Sequence, residues 1–281
     1  MIRPTHFLLL IFIFTVTLGG CVSLDRRELA REVAHGGGFS SEVIKTDFFD
    51  LLSYYRFKKP HKALIIYLEG DGLAWINRNT LSKDPTPRNP LALRLASLDT
   101  ASNVAYLGRP CQYVQNSQRR NCKSDYWSKA RFSEEVIVAT NQAIDQLKKQ
   151  AFASYVHIVG YSGGGGIGVL VAARRNDIDS IRTVAGNLDH AVFTSHHKVT
   201  PLKGSLNPVD VADKIAKIPQ IHFVGSKDKI VPAFIADGFV AAQGGKTCAK
   251  VEHIAAMKHN GDWDKAWPGM LQHSLPKCNM E

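Results

Sequence analysis

The sequence predicts an α/β fold with a mostly parallel central sheet covered by helices on both faces. Short apolar runs typical of buried strands alternate with segments of helical periodicity from about residue 41 onwards. Repeated strand-then-helix units place parallel strands side by side, and their crossovers cover both faces of the sheet. With 281 residues and 44% hydrophobic content, the chain can bury one large core, and no internal repeat divides it.

The elements follow from the hydrophobic pattern, taken in chain order. The clearest buried strand is 63–68, which is apolar almost throughout. The predicted strands are 42–46, 47–56, 63–68, 103–107, 155–159, 181–185, 220–224 and 250–256. The predicted helices are 90–98, 133–149, 165–175, 209–215 and 232–242, followed by a final helix near the C-terminus. In such a sheet the functional side chains gather at the carboxyl ends of the strands.

Two long irregular stretches, 72–89 and 108–131, interrupt this alternation. The first is rich in Pro and Asn, and the second contains two of the cysteines. Loops longer than about 15 residues are usually functional or disordered. Both stretches begin just beyond predicted strands, so we expect them to form walls of a substrate site.

The first twenty residues have the pattern of an export signal. Arg3 supplies a positive charge, and residues 7–16 are apolar but too few for a membrane span, which needs about 20 residues. The sequence Leu18-Gly19-Gly20-Cys21 resembles the lipobox of bacterial lipoproteins, which implies cleavage before Cys21 and lipidation of that cysteine. An ordinary signal peptide cleaved nearby is the alternative.

This resemblance also implies a location and a division of the chain. No Asp follows Cys21, so the implied lipid anchor lies in the outer membrane of the bacterial cell envelope, facing the periplasm or the surface. We predict a signal peptide at 1–20, a flexible tether at 21–40 and the α/β domain at 41–281. The membrane is then a partner through the N-terminal anchor.

Four further cysteines remain once Cys21 is set aside. An even number in an exported chain predicts two disulfides. Cys111 and Cys122 close a local loop, which leaves Cys248 to pair with Cys278. A metal site is the competing interpretation, but no CxxC spacing supports it.

The net charge of +10 is spread thinly along the chain. Arg119, Arg120 and Lys123 form a tight basic cluster, and a solvated loop explains it better than a nucleic-acid site does. We therefore expect no nucleic-acid partner. Oligomeric state is left open by the sequence.

The motif with the clearest chemistry is Gly160-Tyr161-Ser162-Gly163-Gly164. It has the form G-x-S-x-G and lies between a predicted strand and a predicted helix, the context that this motif needs. A serine on such a sharp turn projects its hydroxyl above the sheet. Ser162 is therefore the predicted nucleophile.

From residue 63 to about residue 259 the order of elements around this motif resembles the α/β-hydrolase superfamily. That resemblance implies an acid after a later strand and then a histidine, and Asp228 in Gly225-x-x-Asp228-x-x-Val231-Pro232 and His259 before the final helix match these positions. Asp189 is a rival acid. The rival histidines are His253 and His273.

The resemblance also implies an oxyanion hole built from two backbone amides. One is the amide of Gly163, directly after the nucleophile, and the other comes from the loop after strand 63–68. By position the second donor is Asp71, with Gly72 next. Many relatives have His-Gly where this chain has Glu69-Gly70, so Glu69 departs from the family pattern.

Two other classes of function compete with a hydrolase. Gly163-x-Gly165-x-x-Gly168 with Asp189 downstream matches a dinucleotide-binding signature. However, several predicted strands precede the strand that leads into it, and an exported lipoprotein has little access to NAD. A non-catalytic surface lipoprotein with a hydrolase fold is the other class. All three triad residue types are present in family order, which favours an enzyme.

The expected reaction is hydrolysis of a carboxylic ester, possibly of a lipid or another acyl ester, ahead of a thioester or amide. Acyl transfer through serine requires no cofactor, and no H-E-x-x-H metal motif occurs, so we expect neither cofactor nor metal. The partner is a small-molecule or lipid ester substrate. The acyl group and the alcohol are not specified by the sequence.

Overall fold

The computed structural model describes residues 25–245 and 247–278. Its strands are β1 (Ser40–Lys45), β2 (Asp50–Phe57), β3 (Leu64–Leu68), β4 (Trp75–Asn77), β5 (Thr80–Leu81), β6 (Asn103–Leu107), β7 (Val156–Tyr161), β8 (Ile178–Val184), β9 (Gln220–Gly225) and β10 (Ala249–Ile254). Eight of them form one sheet in the order β1-β2-β6-β3-β7-β8-β9-β10, and β4 pairs with β5 in a small hairpin. The pairs β1–β2 and β2–β6 are antiparallel, and the other pairs of the large sheet are parallel.

Helices cover both faces of this sheet. They are α1 (Arg26–Gly36), α2 (Leu91–Leu98), α3 (Glu134–Gln150), α4 (Gly163–Ala172), α5 (His190–His197), α6 (Phe234–Ala242) and α7 (Trp263–Met270). In the described part of the chain, no helix combines the length and the apolar character needed to cross a bilayer.

The alternation of side chains along the strands explains the two layers of helices. In β3, Ile66 belongs to the apolar core that includes α3, α4 and α6, whereas Tyr67 belongs to the core that includes α1, α2 and α7. Successive strand residues point to opposite faces, so a strand buried on both sides has to be apolar throughout. The predicted α/β fold, with a mostly parallel sheet between helical layers, is confirmed.

One predicted helix is absent from the structure. The helix predicted at 209–215 is instead a pair of short 3₁₀ turns, Pro208–Val211 and Asp213–Ile215, closed by bonds such as that from Ala212 N to Val209 O at 3.1 Å. A seven-residue segment gains little from α-helical hydrogen bonding, and short connectors commonly adopt 3₁₀ turns, in which the amide of residue i+3 donates to the carbonyl oxygen of residue i. Helices α1 and α5 and the β4–β5 hairpin, which lies in the stretch predicted to be irregular, were not predicted.

The flexible tether predicted at 21–40 is wrong for the residues that the structure describes there. Helix α1 begins after Asp25, whose side chain accepts a 3.0 Å bond from the Arg27 amide, and its Ala30 and Ala34 are buried beside α2. Arg27 also pairs with Asp84 at 2.9 Å. These contacts tie the segment to the domain. Cys21 and the signal peptide at 1–20 lie outside the described residues.

The predicted disulfides are present. Cys111 bonds Cys122, and Cys248 bonds Cys278. The first disulfide cross-links two positions within the irregular stretch 108–131, and the second joins the residue before β10 to the C-terminal segment. Each restricts the unfolded chain, an effect worth about 3 kcal/mol for loops of this size.

Candidate active site

Ser162 occupies the turn between β7 and α4 in a conformation that non-glycine residues rarely adopt. Its φ is 50° and its ψ is −120°. Backbone bonds hold the turn: Ser162 N donates to Val184 O at 2.9 Å, and Ser162 O accepts from Asn187 N at 3.0 Å. Residues forced into such conformations cluster at functional sites.

Glycines around Ser162 make this turn possible. A Cβ on Gly160 would lie 2.5 Å from Gly165 Cα, and one on Gly164 would lie 2.2 Å from Leu68 O. The strand, the turn and the start of α4 therefore pack more closely than any side chain permits. The sharp turn raises the Ser162 hydroxyl above the carboxyl edge of the sheet.

The loop after β9 and the loop after β10 carry an acid and a histidine to the same edge. Lys227 N donates to Met257 O at 2.9 Å, which joins the two loops, and a Cβ on Gly225 would lie 2.4 Å from that same carbonyl oxygen. Neighbouring parallel strands thus deliver Asp228 and His259 side by side.

The structure brings the three predicted side chains into one hydrogen-bonded chain. His259 Nε2 lies 3.1 Å from Ser162 Oγ, and His259 Nδ1 lies 2.8 Å from Asp228 Oδ2. Asp228 Oδ1 accepts bonds from the amides of Ile230 and Val231, at 2.8 and 2.9 Å. The carboxylate is thereby fixed, and it in turn fixes the imidazole.

Burial and packing hold the imidazole in place. His259 is 7% exposed, and its ring packs 5.4 Å from that of Tyr161. The His259 carbonyl oxygen accepts a 2.8 Å bond from the Trp263 indole. Ser162 itself is partly exposed and open to a ligand.

The rival residues have other structural roles. Asp189 caps α5, accepting from the amides of Ala191 and Val192. His253 is half exposed and lies 3.4 Å from Asp237, and His273 bonds a Glu252 oxygen. None of these three is bonded to Ser162 or His259. The same cap gives Asp189 a role unrelated to a dinucleotide.

The loop after β3 passes directly beside Ser162. A Cβ on Gly70 would lie 3.3 Å from Ser162 Cβ, and Gly72 turns the chain with a φ of +66°. The Asp71 carboxylate lies against Gly163, because a Cβ there would be 2.1 Å from Asp71 Oδ1. Both predicted amide donors, Gly163 and Asp71, are thus neighbours of the serine.

Two arginines that the sequence reasoning missed bracket the Asp71 carboxylate. Arg109 Nη1 lies 3.1 Å from Asp71 Oδ1, and Arg131 Nη1 lies 2.5 Å from Asp71 Oδ2. Burial alone would raise the pKa of Asp71, but the arginines outweigh it and hold that pKa below its usual value. The cluster of two cations and one anion is net positive. Its members are about 40 and 60 residues from Asp71, so no local motif indicated them.

Glu69 is buried just before this loop. Its carboxylate accepts from Gly70 N at 3.0 Å, from Ala92 N at 3.4 Å and from the Tyr106 hydroxyl at 3.1 Å. Burial is the larger effect and raises the Glu69 pKa to about 7, although the three donors oppose it. Glu69, which stands where many of the α/β-hydrolases that this chain resembles have His, thus joins the loop after β3 to the start of α2.

A wide cleft lies next to the triad, and we call it the outer cleft. Its volume is about 1160 Å³. It is lined by Trp75, Arg78, Asn79, Leu81, Asp125, Ser128, Lys129, Arg131, Phe193, Thr194, His197, Lys198, Val199, Thr200, Pro201, Leu202 and Ile230. Both irregular stretches contribute to its walls. Ser162 and His259 are not in the lining, but Arg131 and Ile230 contact Asp71 and Asp228, respectively.

The walls of the outer cleft have a small core of their own. Ala74, Cys111 and Trp127 form a separate buried cluster next to the Cys111–Cys122 disulfide. The Trp127 indole donates to Ser82 O at 3.0 Å, which ties one irregular stretch to the other. The two stretches therefore support each other.

A sequence model of a protein family, described as serine hydrolase (FSH1), matches residues 98–256. The match covers more than half of the chain, includes Ser162 and Asp228, and ends three residues before His259. No curated protein matches the chain in sequence.

Solved structures share the fold. Est1E from Butyrivibrio proteoclasticus superposes with a TM-score of 0.56 at 15% identity, over 82% of this chain and 97% of its own. An esterase from Pyrococcus furiosus gives 0.57 at 13% identity, over 83% and 90%. A puromycin hydrolase gives 0.59 at 13% identity over 82% of this chain, which spans only 37% of that protein. These likenesses establish the α/β-hydrolase fold.

The raised pKa of Glu69 leads us to expect that the free energy of unfolding falls as pH rises from about 4.5 to about 7. Its pKa is raised from 4.5 to about 7 in the folded protein, so its contribution is fully present below the unfolded pKa and is lost as pH rises towards 7. The shift corresponds to roughly 3 kcal/mol. Between about pH 4.5 and about pH 8, the wild type should lose roughly 3 kcal/mol more unfolding free energy than Glu69→Gln does, measured by urea denaturation. Parallel stability curves for the two proteins would contradict this assignment.

Proposed function

The chain belongs to the serine hydrolase (FSH1) family, and from that premise we propose that it hydrolyses carboxylic esters through an acyl-enzyme on Ser162. The observation that carries the proposal is the continuous hydrogen-bonded chain from Ser162 Oγ through His259 to Asp228. Nucleophile, base and orienting acid are each within the distances that this chemistry needs.

Acylation follows from the positions of these atoms. His259 Nε2 accepts the Ser162 hydroxyl proton while Oγ attacks the ester carbonyl carbon, and the carbonyl π electrons move onto oxygen. When the tetrahedral intermediate collapses, the ester C–O bond breaks and the imidazolium returns the proton to the leaving alkoxide. Asp228 keeps Nδ1 protonated and stabilises the imidazolium. Water then repeats the sequence on the acyl-enzyme and releases the acid.

The proposed oxyanion hole consists of the amides of Gly163 and Asp71. Gly163 is the first residue of α4, so the positive end of the helix dipole also favours charge on the carbonyl oxygen. The Asp71 carboxylate would repel that charge if it stood alone. Arg109 and Arg131 reverse its sign, and the surroundings of the oxyanion become net positive.

An activated serine reacts with fluorophosphonates, and this reaction tests the proposal. The folded wild type should form one adduct, mapped to Ser162 by peptide mass spectrometry, because His259 draws the proton from its hydroxyl. Ser162→Ala should give none, and His259→Ala should react far more slowly. Folded protein that forms no adduct at Ser162 would favour the non-catalytic alternative.

The assignment of the acid has a matched control. Asp228→Asn should lower kcat for an activated ester by about 10⁴-fold, because the amide cannot hold the required imidazole tautomer. Asp189→Asn keeps a helix-capping oxygen on α5 and should retain nearly full activity, with a stability loss of less than about 1 kcal/mol. Measurement of kcat for the activated ester on the two folded variants tests which aspartate is the acid. The reverse pattern would transfer the acid role to Asp189.

We also propose that the enzyme is exported and held in the bacterial cell envelope, in the outer membrane, by a lipid on Cys21. The Leu18-Gly19-Gly20-Cys21 sequence supports this, and two disulfides suit an oxidising compartment. An anchored hydrolase works at a membrane surface, which makes lipid esters natural candidates for its substrate.

Metabolic labelling tests the anchor. The full chain, expressed in a Gram-negative host with an alkyne-tagged palmitate, should incorporate the label and fractionate with outer membranes. Cys21→Ser should lose both properties, because the acceptor thiol is gone, and Ser23→Ala should keep them. Labelling that survives in Cys21→Ser, or its absence in the wild type, would rule out this site of lipidation.

A further inference from the structure

The outer cleft carries more positive than negative charge. Arg78, Lys129, Arg131 and Lys198 line it, and of the described lining residues only Asp125 is acidic. Asp125 is itself 3.2 Å from Lys129. Within the described part of the chain, Arg78 and Lys198 form no ion pair. A concave surface with one sign of charge attracts a ligand of the other sign.

Arg131 is the cation best placed to bind such a ligand. Its Nε donates to Ser128 O at 2.8 Å and its Nη1 bonds Asp71, but Nη2 has no acceptor among the residues that the structure describes. The side chain is only 12% exposed, and Arg131 lines the outer cleft. A largely buried guanidinium with unused donors favours an incoming carboxylate, whose planar geometry it matches.

Apolar side chains accompany these cations. Trp75 and Leu81 come from one wall, and Phe193 and Leu202 from α5 and the segment after it. The outer cleft therefore suits a ligand arm that is apolar along its length and charged at one point. Its volume of about 1160 Å³ accommodates a molecule larger than a short acyl group.

Arg131 also connects this arm to the reacting centre. The Asp71 carboxylate that it bonds lies against Gly163, next to the nucleophile. Only Asp71 therefore separates a ligand held at Arg131 from Gly163, the residue after the nucleophile. Ile230, on the same lining, donates its amide to Asp228, so two lining residues of the outer cleft bond directly to the residues around Ser162 and His259.

We propose that the outer cleft binds an apolar substrate arm that ends in a carboxylate, and that Arg131 binds this carboxylate. The enzyme is then selective for anionic half-esters. This inference rests on the proposed ester hydrolysis, which it extends by naming the substrate class. Arg78 and Lys198 add long-range attraction from the exposed part of the cleft.

Matched ester pairs test the selectivity. The acyl pairs are the mono-para-nitrophenyl esters of hexanedioic and decanedioic acid against the neutral heptanoate and undecanoate. The alkoxy pair is the acetate ester of para-hydroxybenzoate against phenyl acetate. In the wild type, at least one pair should show a kcat/KM about tenfold higher for the anionic member, the effect of one charge-assisted hydrogen bond. The ratio should fall as salt is added.

The variants locate the effect. Arg131→Gln should abolish the anionic-to-neutral preference, Arg131→Lys should retain part of it, and Arg78→Gln combined with Lys198→Gln should reduce it about threefold. Lys149→Gln removes an exposed cation outside the cleft and should leave the ratio unchanged. If Arg131→Gln does not fold, the inference is tested by the Arg78→Gln/Lys198→Gln double variant and by the salt dependence of the anionic-to-neutral ratio.

The outcomes separate this inference from the proposed function. The inference would be overturned, with ester hydrolysis still standing, by either of two results. One is equal kcat/KM for the anionic and the neutral ester in all pairs. The other is a preference for the anionic ester that persists in Arg131→Gln and in high salt. If no ester is hydrolysed, the proposed function fails.

Calorimetry with Ser162→Ala then tests the binding of a ligand to the outer cleft without hydrolysis. The mono-anilide of hexanedioic acid should bind at least tenfold more tightly than heptananilide. Equal binding of the two anilides would overturn the inference.

Discussion

The whole site depends on one tight backbone turn. Ser162 has a positive φ because the strand before it and the helix after it approach so closely that Gly160 and Gly164 have no room for a side chain. The backbone bonds from Ser162 N to Val184 O and from Asn187 N to Ser162 O keep the turn in this form. Such strain persists only where surrounding structure determines it. Once the turn is fixed, the hydroxyl, the start of α4 and the nearest amide all have defined positions.

A second constraint is electrostatic. An acyl transfer site must favour a developing negative charge, yet the loop after β3 places the Asp71 carboxylate against Gly163. Two guanidiniums on that carboxylate reverse the sign of the cluster, and burial raises the pKa of the neighbouring Glu69 to about 7. The same carboxylate orients Arg131, one of whose nitrogens has no acceptor among residues 25–245 and 247–278. In the proposed mechanism, one cluster therefore both supports the oxyanion loop and recognises the ligand.

The sequence predicted what local patterns encode. The parallel sheet follows from runs such as 63–68, and Ser162, Asp228 and His259 each lie at a strand end with a recognisable spacing, so the structure places them together. Contacts between distant segments carry no such signal. Arg109 and Arg131 meet Asp71 only through tertiary packing, and the glycines before β1 suggested a tether although Arg27 and Ala30 fasten α1 to the domain. Propensity and periodicity describe single elements, whereas these features belong to the assembled fold.

The backbone turn at Ser162 and the charged cluster at Asp71 lie where the large sheet meets the walls of the outer cleft. The triad stands on strand ends, the most firmly fixed part of an α/β fold, whereas the walls of the outer cleft come from segments outside the large sheet. A separate core around Trp127 and the Cys111–Cys122 bond stabilises these walls. A preformed wall needs little ordering when a ligand binds, so more of the contact energy appears as affinity. An arm held in such a cleft is positioned relative to Ser162 before reaction, which is how binding remote from the reacting bond accelerates chemistry.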